Sequence, residues 1–240
     1  MLQRLLAPQM LTMVAEGTGQ DASNVLVALN RMCMGSSPLL SVAAAQAYAG
    51  QLLAGVNLNR VPSWESQQIN NSLWALGELQ LKDNRFIRAA VAAAPKWLPN
   101  TNPRQVSQAA TACAQLQYRD EHFMELLLQR AQQLLQPSRS KGSRSQVEAD
   151  KASLIAQLSI SVVLLDMRRY AGAARKLVAD FNFVEQSGTH PSNLRRLWLF
   201  HSWLLEHQLL DGKGLAGLVT KQQLQQGAKE AAEWGDKTRL

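Results

Sequence analysis

The sequence predicts an all-α fold, an α-solenoid of about five stacked helical hairpins with a repeat period of about 37–47 residues. Three observations predict this fold. The segment 71–86 recurs at 108–123 with its spacing intact. The 240 residues are 46% hydrophobic, rich in Leu and Ala and poor in Ile and aromatic residues, which favours helix over strand. Asp83 and Asp120 precede helical runs in the two copies, where a carboxylate caps free N–H groups.

The two copies match residue by residue at a single offset of 37. Each copy has the pattern of an apolar helix, a short polar turn that ends at the Asp, and a second apolar helix. The matching pairs are Ala75 and Ala112, Leu79 and Leu116, Lys82 and Arg119, Asp83 and Asp120, and Phe86 and Phe123.

Helical periodicity, caps and breakers predict the remaining elements in order. Residues 1–16 form a short amphipathic helix that ends at Gly17. The next hairpin repeats the pattern in weaker form, and the Gly, Asn and Pro content of 55–62 indicates a loop after it. The predicted hairpins and helices are 23–54, 64–81 with 84–97, 102–136, 148–166 with 170–185, and 194–210 with 215–234.

A change in composition divides the chain. Residues 137–146 contain no apolar side chain, so 137–150 is predicted as a flexible, basic, Ser-rich insertion. A solvated linker is the favoured interpretation over an RNA-contacting or phosphorylated arm. The insertion separates N-terminal repeats at 1–136 from C-terminal repeats at 151–240 of the same solenoid.

Charge and cysteine content limit the function classes. The net charge of +7 and the pI near 9.7 suit a polyanionic partner such as nucleic acid. Cys33 and Cys113 lie in predicted helices among apolar neighbours, which indicates core thiols in a reducing compartment. No apolar run reaches the length of a membrane span. The N-terminus has the features of a poor signal peptide and only a faint transit peptide.

The residues indicate no catalysis, no cofactor and no metal site. Gly212–Gly217 matches the spacing of a dinucleotide fingerprint, but it follows a predicted helix, whereas that motif needs a strand before it. His201 and His207 are six residues apart, which places them on different faces of a helix and argues against a zinc pair.

Two stretches resemble a known family. Asn71-Ser-Leu-Trp-Ala-Leu-Gly-Glu-Leu79 and the segment 102–120 resemble the octotricopeptide repeats of green-algal organelle proteins, and are similar to the helical region of FASTK and RAP-domain proteins. The resemblance implies binding of organellar mRNA or rRNA in a chloroplast or mitochondrion, in RNA processing, stability, rRNA maturation or translation. The sequence departs from the pattern at Gln108-Ala-Ala-Thr111, which replaces Asn-x-Leu-Trp. No RAP-like domain follows the repeats in this sequence, so the resemblance does not carry over the cleavage activity associated with that domain.

In stacked hairpins a ligand meets the same position of each first helix once per repeat. Amide and guanidinium groups at those positions are predicted to contact bases, and basic groups near the turns are predicted to contact phosphates. The candidate RNA-binding residues are Gln67, Asn70, Asn71, Glu78, Lys82, Arg104, Ser107, Gln108, Gln115, Arg119, Arg168, Arg169, Arg195 and Arg196.

Alternatives remain open for these residues. Each polar position is also consistent with the solvated side of an amphipathic helix, and Asn71 with a bridge between neighbouring repeats. Trp74, Trp198 and Trp203 are predicted to pack between helices, with base stacking as the alternative. The alternative function is a protein-binding solenoid scaffold, for example a ribosome-associated or assembly factor.

Overall fold

The structure, a computed structural model, describes residues 16–34, 38–136, 144–185 and 189–238. Over these residues the chain is helical and forms no strand; one isolated bridge joins Ala216 and Val219. The helices pack against neighbouring helices. The prediction of an all-α helical-repeat fold is therefore confirmed.

The first of two compact units comprises Met1–Thr101 and Thr111–Tyr118. Within it, α1 packs against α2 and α3, and the second helix of the next hairpin is broken into α4 and α5. The helices are α1 (Gly19–Met34), α2 (Val42–Gly55), α3 (Ser66–Glu78), α4 (Asn84–Ala92) and α5 (Ala94–Trp97), with 3₁₀ helices at Leu58–Ser63 and Leu98–Asn100.

The second unit comprises Asn102–Ala110 and Arg119–Leu240, so that α6 contributes residues to both units. Within this unit, α8 packs against α7, α9 and α10, and α10 packs against α11. The helices are α6 (Pro103–Gln115), α7 (Glu121–Leu135), α8 (Arg144–Leu164), α9 (Ala171–Phe181), α10 (Pro191–Glu206) and α11 (Lys221–Thr238), with 3₁₀ helices at Arg168–Tyr170 and Phe183–Glu185.

The first helices α3, α6, α8 and α10 all end in the same way. The chain turns into the left-handed region at one residue, and the next residue donates its N–H to the carbonyl five positions earlier, as in a Schellman motif. The turning residues are Gln80, Gln117, Asp166 and Gln208, with φ of 53°, 52°, 46° and 50°. This shared ending defines equivalent positions in all four hairpins, including those whose sequences have diverged.

The helix starts also repeat. Asp83 and Asp120 accept from the N–H groups of Phe86 and Phe123 at 2.9 and 2.8 Å, as the sequence predicts. Helices α3 and α6 also begin with reciprocal side-chain caps, which the sequence analysis did not predict. Glu65 with Gln68, and Asn102 with Gln105, form reciprocal capping boxes at the same offset of 37 residues.

Three predicted boundaries differ from the structure. The predicted helix 84–97 is interrupted at Ala93, because Pro95 has no N–H and its ring clashes with the preceding turn. Helix α8 begins at Arg144, inside the segment predicted as an insertion. The last helix begins at Lys221 rather than 215, since Thr220 and Gln223 cap it reciprocally at 2.8 and 3.0 Å.

Two predicted features fall outside the described residues. The amphipathic helix predicted at 1–16 lies there except for its last residue, and so do residues 137–143 of the predicted insertion.

Candidate nucleic-acid interface

One side of α3 carries a row of partly accessible polar and aromatic side chains. Successive spacings of four, three and four residues place Gln67, Asn71, Trp74 and Glu78 on one face of the helix, which we call the α3 stripe. Gln67 is exposed and the other three are half-buried. The opposite face is fully buried through apolar residues such as Leu73, so the stripe is held on a fixed helix.

The same positions on α6 are occupied by Arg104, Gln108, Thr111 and Gln115. Arg104 is exposed and the other three are half-buried, which matches the order of exposure along the α3 stripe. Equivalent positions of α3 and α6 therefore have the same order of exposure, and their contact with RNA stays a prediction.

Two equivalent residues bond to each other. Gln115 Nε2 donates to Glu78 Oε1 at 3.0 Å, and Gln115 Oε1 is buried without a hydrogen-bond partner. Gly77 permits this approach, because a Cβ there would lie 2.5 Å from Gln115 Oε1 and 3.0 Å from Ala112 Cα. Glu78 and Gln115, both predicted to contact RNA, are thus held in a contact between helices.

Asn70 does not belong to the accessible surface. Its side chain is 0% exposed, and its Nδ2 donates to the Ser66 carbonyl at 2.7 Å. One residue corresponds to a rotation of about 100° around the helix, so Asn70 turns inward where Asn71 faces outward. The prediction of Asn70 as an RNA contact is therefore corrected. Ser107, its equivalent on α6, is half-buried.

Three of the predicted phosphate contacts form exposed ion pairs. Arg119 and Arg169 both approach Glu121, at 3.7 and 3.4 Å, and Arg168 lies 3.0 Å from Asp166. The hydrogen bond from Arg168 lowers the pKa of the Asp166 carboxyl. Exposed pairs of this kind contribute little stability, but they offset part of the positive charge that a phosphate would meet. Lys82 is exposed at the turn between α3 and α4.

The two arginines predicted on α10 have different environments. The Arg195 guanidinium lies 4.8 Å from the centroid of the Trp234 ring, in a cation–π contact. Arg196 donates to Ser192 Oγ and Asn193 Oδ1 at 3.3 and 3.0 Å, and burial lowers the pKa of its guanidinium. Arg196 therefore contacts the first turn of α10, whereas Arg195 contacts α11, and both arginines are half-buried.

The three tryptophans for which base stacking is the alternative also differ in their exposure and contacts. Trp203 is 7% exposed and packs against Phe200, as expected for the core. Trp198 is half-buried and lies 5.7 Å from the His201 ring. Trp74 is half-buried in the middle of the α3 stripe, a position that its Leu and Ala neighbours in the sequence do not reveal.

Sequence reasoning also missed three exposed basic residues, Arg85, Arg88 and Lys96. They lie on the outer side of α4 and α5, opposite the buried Phe86 and Ile87. Their helical spacing was available in the sequence, but the predicted interface was confined to first helices and turns.

Other parts of the described chain offer different chemistry. A cavity of about 220 Å³ lies between α7 and α9, lined by Leu128, Tyr170 and Leu177, which is the kind of apolar surface that the protein-binding alternative requires.

His201 Nδ1 accepts from the Leu215 N–H at 2.9 Å, in the loop that contains Gly212–Gly217. Within the described ranges no three His, Cys, Asp or Glu side chains group as metal ligands, and no helix is long and apolar enough to cross a membrane.

Comparison with known proteins gives no match of any kind: no family model, no curated protein and no solved structure matches this chain.

Proposed function

We propose that this chain is an RNA-binding helical-repeat protein. In this proposal it acts on organellar mRNA or rRNA, in RNA processing, stability, rRNA maturation or translation. The placement in a chloroplast or mitochondrion rests on the resemblance of residues 71–79 and 102–120 to organellar repeat proteins.

The observation that carries the proposal is the α3 stripe. Trp74 presents a partly exposed indole between Asn71 and Glu78, with Gln67 exposed one turn before Asn71. An aromatic ring offers any unpaired base a stacking surface, and neighbouring amide and carboxylate groups bond to its edges. This combination suits a single-stranded RNA, whose bases are free of partners.

The repetition of accessible polar positions supports the proposal further. Thirteen residues before each left-handed helix end stand Gln67, Arg104, Ser153 and Arg195, all exposed or half-buried. One accessible polar side chain in each of these hairpins is consistent with helical-repeat proteins that read one base per repeat.

The test is equilibrium binding of a fluorescent single-stranded RNA of about 20 nucleotides, followed by anisotropy over a series of salt concentrations. The proposal predicts saturable binding that weakens as salt increases, because phosphate contacts release counterions. Absence of binding to mixed-sequence RNA at low salt overturns the proposal. A duplex DNA of equal length is the control and is expected to bind more weakly, since its bases are stacked inside.

A further inference from the structure

The second helix of the best-preserved hairpin separates its apolar and basic residues completely. Phe86, Ile87 and Ala90 are 0% exposed on the inner side of α4, and Trp97 of α5 donates its Nε1–H to the Ala90 carbonyl at 2.8 Å. These contacts join α4 and α5 across the interruption at Ala93. The outer side is therefore presented from a firmly packed base.

That outer side carries only basic charges. Arg85, Arg88 and Lys96 are exposed along α4 and α5, and Lys82 is exposed at the turn that leads into them. We call these four residues the basic face. The nearest acid in the segment, Asp83, has only 14% of its side chain exposed and is engaged as the cap of α4, with Arg85 at 3.6 Å. The net charge of segment 82–97 is thus +3.

The other second helices of the described chain differ. The helix α2 contains no charged residue, and α7 exposes Glu121 and Glu125. On α9 the exposed Lys176 is paired with Asp180 at 2.7 Å. On α11 the exposed Lys229 is paired with Glu233 at 3.9 Å. A row of exposed cations is therefore not a general consequence of the hairpin design.

We propose that the basic face binds the phosphate backbone of single-stranded RNA. The identity of the ligand rests on the proposed function, but the surface is separate from the α3 stripe because it belongs to the other helix of the hairpin. Lysine and arginine side chains neutralise phosphates without reading sequence. The basic face therefore contributes affinity and salt dependence, while the stripe contributes base contacts.

The length of the basic face favours a polymer over a single anion. Arg85 and Lys96 are eleven residues apart in the sequence and belong to two successive helices, α4 and α5. One phosphate contacts only neighbouring cations of such a row, whereas successive phosphates of a strand reach all of them. The Arg88 Nε–H donates to the Asn84 carbonyl at 3.0 Å, which directs its guanidinium along the exposed side.

The experiment compares the salt dependence of RNA binding in three forms of the full chain. The first is the wild type. The second removes the basic face by Lys82→Gln, Arg85→Gln, Arg88→Gln and Lys96→Gln. The matched control removes the same number of charges from exposed lysines elsewhere, by substitution with Gln at Lys176, Lys213, Lys221 and Lys229. Circular dichroism confirms that all three forms are equally helical.

Loss of the basic face is expected to reduce the slope of log Kd against log salt by about 3, since single-stranded contacts contribute about 0.7 each. The lysine control is expected to keep the wild-type slope. Equal slopes for the two variants overturn the inference. A fourth form, Gln67→Ala with Asn71→Ala and Trp74→Leu, separates the two proposals. If this form loses affinity for RNA while the basic-face variant binds as the wild type does, the proposal for the basic face is wrong and the proposal for the α3 stripe is supported.

Discussion

Gln115 and Glu78, which occupy the same position in successive hairpins, bond to each other at 3.0 Å. Their contact depends on the absence of a side chain at Gly77, against which Gln115 Oε1 and Ala112 pack. The helix ends therefore approach closely at a point where the sequence shows a Gly followed by a Glu. This contact joins the end of α3 to the last turn of α6.

A methyl group at Gly77 tests this close approach. We expect Gly77→Ala to destabilise the chain by about 1–3 kcal/mol, because the new Cβ displaces the Gln115 side chain and presses on the Ala112 backbone. Urea unfolding followed by circular dichroism measures the change.

The matched control is Gly50→Ala in α2, where an added Cβ meets nothing within 4 Å. This variant is expected to be about 0.5–1 kcal/mol more stable, since alanine loses less backbone freedom than glycine in a helix. If Gly77→Ala and Gly50→Ala changed the free energy of unfolding equally, the close approach at Gly77 would not be the cause of the change.

The two Asp caps are expected to contribute similar stability, because they hold equivalent bonds. Asp83→Ala and Asp120→Ala should each lower the free energy of unfolding by about 1 kcal/mol, within a range of 0.5–2. Asp180→Ala serves as the control, since Asp180 is paired only with the exposed Lys176. Its expected change is below about 0.5 kcal/mol. A cost for Asp180→Ala as large as for the caps would contradict the assignment.

His201 is expected to make stability depend on pH. Burial lowers the pKa of its imidazole below 6.5, and its Nδ1 must be unprotonated to accept from the Leu215 N–H. Well above pH 6.5 both the folded and unfolded chains hold a neutral ring. As the pH falls below 6.5 the unfolded chain binds the proton first, so stability decreases.

Unfolding by urea between pH 8 and pH 5 measures this dependence. In His201→Asn, where Oδ1 replaces Nδ1 as acceptor, the decrease below pH 6.5 should be smaller than in the wild type. His122→Asn, at an exposed position, is expected to keep the wild-type decrease. An unchanged pH dependence in His201→Asn would show that this ring is not its source.

The sequence predicts the fold well because repetition and capping are local signals. Asp83, Phe86 and their equivalents 37 residues later are placed as predicted. Thr220 and Gln223 have the spacing of a reciprocal capping pair, which is a local signal for a helix that begins at Lys221. The interruption at Ala93 was readable from Pro95.

The candidate surface was less predictable, because burial depends on the rotation of each helix against its neighbours. The adjacent residues Asn70 and Asn71 differ in exposure, since Asn70 is fully buried and Asn71 is partly accessible. Nothing in their local sequence predicts this difference. Ion pairs between distant residues, such as Arg169 with Glu121, depend on tertiary packing as well. Helical periodicity predicts that Arg85 and Arg88 share one side of α4. That this side is exposed follows only from the burial of Phe86 and Ile87 on the other side.

The most direct test of the central claim is the affinity of single-stranded RNA for Trp74→Leu at one fixed salt concentration. Leucine keeps the apolar packing of the half-buried indole but offers no ring to a base, and stacking contributes about 1–3 kcal/mol per base. We expect a Kd about 5- to 150-fold higher than that of the wild type. Tyr48→Leu, which removes a half-buried aromatic ring from α2, should change the Kd less. Wild-type affinity in Trp74→Leu would contradict the assignment of the α3 stripe as the surface that binds bases.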